Sequence, residues 1–250
     1  MNDRKNALKG LIMQLTRRLA RRFLGPLFTA LLVSACGGGG GGDAGTPPPS
    51  TGPTCTPAAA PPAGSTAPQV TLAINNGAGV SGNIVITLDA VSTPLTVANF
   101  LAYVNAGFYN NTVFHRHGRT SSLGTFVLQG GGYAAPVTSA ARFPAPKATN
   151  APIALEVGRG LSNVCYSVAM ARTSAPNSAT SEFFINTTDN VFLNTSDGGY
   201  AVFGNITAGT ALVNAMVAAT CNFSSANFAL SSPDCVPEPN LVIVSAIRTR

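Results

Sequence analysis

Charge is scarce in this 250-residue chain: 10% of its residues are charged, against about 25% in ordinary soluble domains. Lys and Arg total 15, Asp and Glu total 9, and the formal charge is +6. Seven of the basic residues (Arg4, Lys5, Lys9, Arg17, Arg18, Arg21, Arg22) and one acid, Asp3, fall within residues 1–35, which leaves eight of each sign from Cys36 onward. The excess therefore belongs to the N-terminal segment, and a basic nucleic-acid-binding face on a folded domain is not expected. The apolar run Leu24–Ala35 has twelve residues, short of the roughly 20 that a membrane-spanning helix needs. No Cys-x-x-Cys occurs, which removes a thioredoxin-type redox pair and a cysteine zinc site. His115 and His117 would share one face of a strand, but no third ligand stands at a suggestive spacing, so no metal centre is expected. There is no nucleophile elbow for Ser/His/Asp catalysis. Gly130-Gly-Gly132 has no phosphate-loop lysine around it and reads as a tight turn.

What is present at the N-terminus reads as an address. A basic stretch, the apolar run and a small-residue exit describe a secretory signal over residues 1–35. Val33-Ser-Ala-Cys36 resembles the lipobox of bacterial lipoproteins, which implies acylation at Cys36 and cleavage before it; an ordinary signal with a chance cysteine is the plain alternative. Several acyl chains anchor firmly where one gives marginal binding. In that resemblance, Gly37 in place of the Asp associated with inner-membrane retention implies the outer membrane. Residues 36–68 then read as a disordered tether: six glycines at 37–42, followed by Pro, Ala, Ser and Thr to Pro68, too little apolar surface to offset ordering entropy. Four further cysteines behind an export signal permit disulfides in an oxidising periplasm. Cys221 and Cys235 enclose a polar, loop-like stretch and are the expected pair. Cys165 lies in an apolar run, where simple burial accounts for it, and Cys55 lies in the tether.

Residues 69–250 suit one domain with a sizeable core. Val70–Ile74 and Gly82–Leu88 alternate as strands about an Asn-Asn-Gly turn region. Val97, Phe100, Leu101 and Val104 then stand at i, i+3, i+4, i+7, which predicts a helix of about ten residues, with Thr96 as cap and Gly107 as stop. Short strand candidates run from 112 to 206, a second helix fits Thr210–Ala219, and Asn240–Ile247 closes the chain as a strand. Many strands with two helices, not alternating one for one, point to an antiparallel barrel or an α+β fold.

Six blocks follow one another along the chain: Phe108-Tyr-Asn-Asn-Thr-Val-Phe-His-Arg116, Phe126-Val-Leu-Gln-Gly-Gly-Gly-Tyr133, Ser167-Val-Ala-Met-Ala-Arg172, Ser181-Glu-Phe-Phe-Ile-Asn186, Asn190-Val-Phe-Leu193 and Tyr200-Ala-Val-Phe-Gly204. Together they resemble the cyclophilin-type peptidyl-prolyl isomerases, in wording nearest the bacterial periplasmic ones, over residues 69–250. The resemblance implies a mainly β fold, a closed eight-stranded antiparallel barrel capped by two α-helices, with a groove on its outer face. It implies an enzyme without cofactor or metal, monomeric, acting on Pro-containing segments of exported, folding polypeptides. Arg116 matches the catalytic arginine. Phe126, Val127, Phe184 and Leu193 match the proline pocket, and Gln129 matches a groove glutamine. Ala169 and Met170 match the strand that pairs with the peptide. Glu182, Phe192 and Tyr200 complete the matched groove.

The chemistry such a site needs is slight. Rotation about a prolyl amide crosses about 18–20 kcal/mol because it breaks amide resonance. A catalyst must only bind the twisted amide better than either planar form, through a fixed cation or donor beside an apolar pocket. Four departures bear on that expectation. Arg116 and Phe126 stand ten positions apart, farther than the family usually allows, so the intervening residues form a longer loop that either displaces Arg116 or adds contacts through Arg119. Glu182 replaces a common glutamine, and Tyr200 a frequent histidine. Phe192 stands where cyclosporin-sensitive members carry tryptophan, which implies weak cyclosporin binding. The longer loop and Glu182 keep a rival open, a non-catalytic module that holds Pro-containing segments in the same groove.

Overall fold

The computed structural model describes residues 55–59, 64–120, 122, 124–137, 144–221, 230 and 233–250. Cys36 and the signal read over residues 1–35 lie outside the described residues. Eight strands form the sheet: β1 (Gln69–Asn75), β2 (Ser81–Leu88), β3 (Thr112–Thr120), β4 (Gly124–Ala134), β5 (Ser167–Met170), β6 (Phe183–Asn186), β7 (Val202–Ala208) and β8 (Leu241–Arg248). They close in the order β1-β2-β7-β5-β6-β4-β3-β8, and every neighbouring pair is antiparallel. Closure gives every strand a neighbour on both sides. The described residues carry two α-helices, α1 (Pro94–Asn105) and α2 (Thr210–Val217).

Period-two alternation sorts the side chains into two layers. Val70, Leu72, Ile74, Ile84, Ile86 and Leu88 point inward and join Phe114, Leu128, Val168, Met170, Phe183 and Ile185 in the interior cluster, which Phe100 and Val104 of α1 and Val213 and Met216 of α2 complete. The alternate residues Val127, Ala169 and Phe184 point outward and build a second cluster with Ala171, Leu193 and Val202. The barrel is thus solid, and its apolar outer wall is available for a site. Met170, at 1% exposure, belongs to the interior and not to the outer face, because it follows the outward Ala169 in a strand.

Three local expectations are corrected. Gly130–Gly132 lies within β4 and is not a turn. A side chain at Gly130 would meet Phe114 and the Val113 carbonyl at 3.0 Å, and one at Gly132 would meet the Glu182 side chain, so the glycines allow neighbouring segments to pack against the strand. Thr96 is not the cap of α1. The cap position is Thr93, and the first-turn N–H groups of Leu95 and Thr96 donate to Glu156, whose carboxylate also accepts from the Thr96 hydroxyl. A carboxylate there satisfies orphan donors and complements the helix dipole. Finally, the segment between Arg116 and Phe126 extends the β3–β4 hairpin, whose register runs on through Arg119↔Thr125 and Thr120↔Gly124.

Both cysteine pairs of the described residues are bonded, Cys221 to Cys235 and Cys55 to Cys165. The second bond fastens a residue read as part of the tether to the segment ahead of β5, 110 positions away.

Candidate active site

The outward layer floors an open pocket of ≈ 190 Å³ lined by Arg116, Phe126, Val127, Gln129, Ala171, Arg172, Phe184, Phe192, Leu193 and Tyr200. Eight of these were singled out from sequence. Ala171 and Arg172 were not. The sequence placed the peptide-facing strand at Ala169 and Met170, but Ala169 is fully buried beneath the floor and both residues are hydrogen-bonded into the wall between β6 and β7. The groove-facing pair is two positions on, where β5 has ended and the chain leaves the sheet.

Apolar and aromatic side chains give the pocket its shape. Phe126 tilts toward Phe192 with ring centroids 6.0 Å apart, and Phe184 meets Tyr200 edge-on at 5.8 Å. Phe192 is 45% exposed on the 3-10 turn Val191–Asn194, whose Leu193 is buried in the wall. A buried amide network fixes that turn: Asn190 donates to the Phe126 carbonyl and to Asn186, which in turn donates to Asn163 and Ser167. Arg172 closes the far side. Its guanidinium sits 4.6 Å above the Tyr200 ring and donates to the carbonyls of Asp197 and Gly199.

Arg116 stands at the rim, held from two directions. Nε donates to Asp234 Oδ2 at 2.7 Å and Nη1 to Gln129 Oε1 at 2.8 Å. These bonds use two of its five N–H groups and fix the plane of the fork. Beside the lengthened hairpin it lines the pocket. Arg119 is turned away, its backbone N–H on Asp234 and its Nη1 3.7 Å from the Cys235 sulfur, so it lines no part of the pocket. Gly118 leaves the space the fork occupies: a methyl group there would come within 3.3 Å of the guanidinium and 2.6 Å of Val127.

Gln129 carries the arrangement onward. Its Nε2 donates to Glu182 Oε2 at 2.7 Å, and His115 Nε2 lies 3.4 Å from the same oxygen. Glu182 therefore sits behind the cation, lining an adjoining cavity of ≈ 170 Å³ with Thr173, Ser178 and Thr180. Burial works to raise its pKa. The hydrogen bond and charge of His115, the Gln129 amide and the Arg116 charge outweigh that and hold it below the usual carboxylate value. Asp234, Arg116, Gln129, Glu182 and His115 thus form one chain of polar contacts along the groove.

His115 and His117 do not act together. His117 faces the other way, its Nδ1 3.4 Å from Cys221 Sγ, and with the two sulfurs forms a cluster within 4.8 Å. Those sulfurs are bonded to each other, and a disulfide sulfur is not the thiolate that a metal requires.

A fixed cation beside an apolar pocket, on the outside of a closed barrel, defines a groove suited to an apolar, uncharged group. The family model described as cyclophilin type peptidyl-prolyl cis-trans isomerase/CLD matches residues 70–246. The chain belongs to that family. It is 46% identical over 141 residues to a peptidyl-prolyl cis-trans isomerase of Streptomyces antibioticus, covering 54% of this chain and 78% of that protein. It is 45% identical over 131 residues to peptidyl-prolyl cis-trans isomerase A of Dickeya dadantii, covering 52% and 63%. Peptidyl-prolyl cis-trans isomerase B of Escherichia coli is 44% identical over 138 residues, covering 53% and 77%. Among solved structures, a cyclophilin type peptidyl-prolyl cis-trans isomerase of Cryptosporidium parvum superposes with a TM-score of 0.54 at 21% identity, covering 74% of this chain and 98% of that one.

Proposed function

We propose that this protein isomerises X–Pro bonds in exported, incompletely folded polypeptides, with Arg116 as the electrostatic catalyst. The observation that carries the reading is the Arg116 guanidinium, fixed at the rim of a pocket walled by Phe126, Val127, Phe184, Leu193 and Tyr200. A proline ring fills such a pocket and leaves its amide facing the cation. As the amide twists, resonance is lost and the prolyl nitrogen gains an available lone pair. A donor already aimed at it binds the twisted form better than either planar form, and each 1.36 kcal/mol of that difference is tenfold in rate. Nothing in the step requires a metal, a nucleophile or a proton transfer.

A protease-coupled assay on a Pro-containing peptide tests the reading with wild type and Arg116→Ala. The expected outcome is a rate well above background for wild type and a loss of tenfold or more in the variant. Equal, background-level rates for both would instead favour a module that only holds Pro-containing segments.

The address is part of the proposal: export to the periplasm with acylation at Cys36 and attachment to the outer membrane. Its support is the basic segment, the twelve-residue apolar run and Ser34-Ala-Cys36. The two disulfides suit an oxidising compartment. Palmitate labelling of wild type and Cys36→Ser is expected to mark only the wild type; two unlabelled products would refute the anchor.

A further inference from the structure

We infer that Asp234 is the positioning residue for the Arg116 guanidinium and that the Cys221–Cys235 disulfide keeps it in place. The inference rests on the reading of Arg116 given above.

Asp234 belongs to none of the blocks that carry the family resemblance, and it reaches Arg116 from 118 positions away. It is 7% exposed, and both of its oxygens are used: Oδ2 accepts from Arg116 Nε at 2.7 Å and Oδ1 from the Arg119 backbone N–H at 2.8 Å. The carboxylate is therefore fixed before it fixes the arginine. A charge-assisted bond of that length is among the stronger contacts an arginine makes. An untethered arginine samples many rotamers, and ordering it at the moment of reaction would subtract from any stabilisation it gives. Gln129 holds one terminal nitrogen, and Asp234 holds the stem of the fork from the opposite side. Together they set the plane and direction of the remaining N–H groups.

What brings Asp234 there is its neighbour. β3 pairs with β8 only over Thr112–Phe114, so beyond Phe114 its outer edge needs another partner. Cys235 supplies it: His117 N–H donates to the Cys235 carbonyl at 2.6 Å, and Cys235 N–H to the His117 carbonyl at 3.1 Å. That antiparallel bridge puts Asp234 opposite Gly118, which has no side chain, so the carboxylate reaches diagonally to Arg116 on the same face of β3. Cys235 is bonded to Cys221, which is bridged to Pro237, and Glu238 N–H donates to the Thr220 carbonyl. The segment carrying the carboxylate is thus stapled to the chain leaving α2.

The test measures kcat/KM and Tm on the full, oxidised chain for Asp234→Asn, Asp234→Glu, Arg116→Ala, Arg116→Ala/Asp234→Asn and Cys221→Ser/Cys235→Ser. Asp234→Asn is expected to lose tenfold or more in kcat/KM while Tm moves by only a few degrees, and Asp234→Glu to recover part of the loss. The double variant Arg116→Ala/Asp234→Asn should be no slower than Arg116→Ala, which a merely structural role for Asp234 would not produce. Removing the disulfide should cost several-fold in kcat/KM. An impaired Arg116→Ala beside a full-rate Asp234→Asn overturns this inference and leaves the catalytic reading standing. So does a further loss when Asp234→Asn is added to Arg116→Ala. A full-rate Cys221→Ser/Cys235→Ser protein refutes the staple. Arg116→Ala at the wild-type rate overturns the catalytic reading and this inference together.

Discussion

The side-chain amide of Gln129 donates to Glu182 over 2.7 Å while its own oxygen accepts from Arg116, so an acid and a cation that do not touch are coupled through one neutral residue. The amide is oriented by its partners: its oxygen must face the donor and its nitrogen the carboxylate. Gln129→Leu severs both contacts in one change and leaves Glu182, 28% exposed in its side chain, without one of the donors that stabilise its anion. The expected result is a fall in kcat/KM of about tenfold, the value of roughly 1.4 kcal/mol of positioning. The Glu182 carboxyl should also titrate at higher pH, as followed by NMR. An unchanged titration would show that Gln129 does not couple the two charges.

His117 should contribute to the pH dependence of stability. Burial, and then the charge of Arg119, push its pKa down from 6.5 to about 4. The unfolded chain therefore binds a proton between those values and the folded chain does not. Stability should be fully present above pH 6.5 and decline as pH falls toward 4, by an amount on the order of 3 kcal/mol. Glu182 acts in a lower window: its folded pKa is depressed, so its contribution is present above the usual carboxylate value of 4.5 and is lost as pH drops below it. Denaturant midpoints from pH 7.5 to 4 should fall for wild type, and His117→Gln should flatten the curve between 6.5 and 4.5. A wild-type slope that survives the substitution would assign the effect elsewhere.

Glu156 is a stability residue, not a site residue. It accepts from the first turn of α1 at 2.8 Å and 3.2 Å on the main chain, and from the Thr96 hydroxyl at 2.7 Å. Glu156→Ala should cost about 1–2 kcal/mol in unfolding free energy, the usual cost of losing a helix cap. The same variant should retain the wild-type kcat/KM, because the capped turn does not line the pocket around Arg116.

The Cys55–Cys165 bond should behave in the same way and more strongly. Its separation of 110 positions makes it a long-loop crosslink, for which about 2–4 kcal/mol is typical. Cys55→Ser/Cys165→Ser should show a clear drop in Tm with unaltered kcat/KM. Equal Tm values would mean that the bond does no more than fasten the segment around Cys55.

The barrel was readable from sequence because its signals are local. Alternation in Val70–Ile74 and Gly82–Leu88, and the i, i+3, i+4, i+7 spacing of Val97, Phe100, Leu101 and Val104, depend on near neighbours alone. Most pocket residues were legible through the order of their blocks. The remainder was set by pairings that sequence proximity does not encode. Glu156 caps a helix 60 positions back, Asp234 holds an arginine 118 positions back, and Cys55 bonds across 110. Met170 was misplaced for a different reason: strand period two sends the residue after an outward Ala169 into the core, and only the end of β5 frees Ala171 and Arg172 to face the groove. The glycines of β4 read as a turn because flexibility and close approach favour the same residue.

The Cys55–Cys165 bond also determines how mechanical load would enter the domain. β1 begins at Gln69, and a pull arriving there from the N-terminal side would peel it from β2 and β8 one hydrogen bond at a time. With Cys55 fastened to Cys165, tension on the chain ahead of Cys55 bypasses residues 56–68 and passes to the segment leading into β5, a strand held by β6 on one side and β7 on the other. A pull from that side therefore enters the sheet at β5 and not at β1.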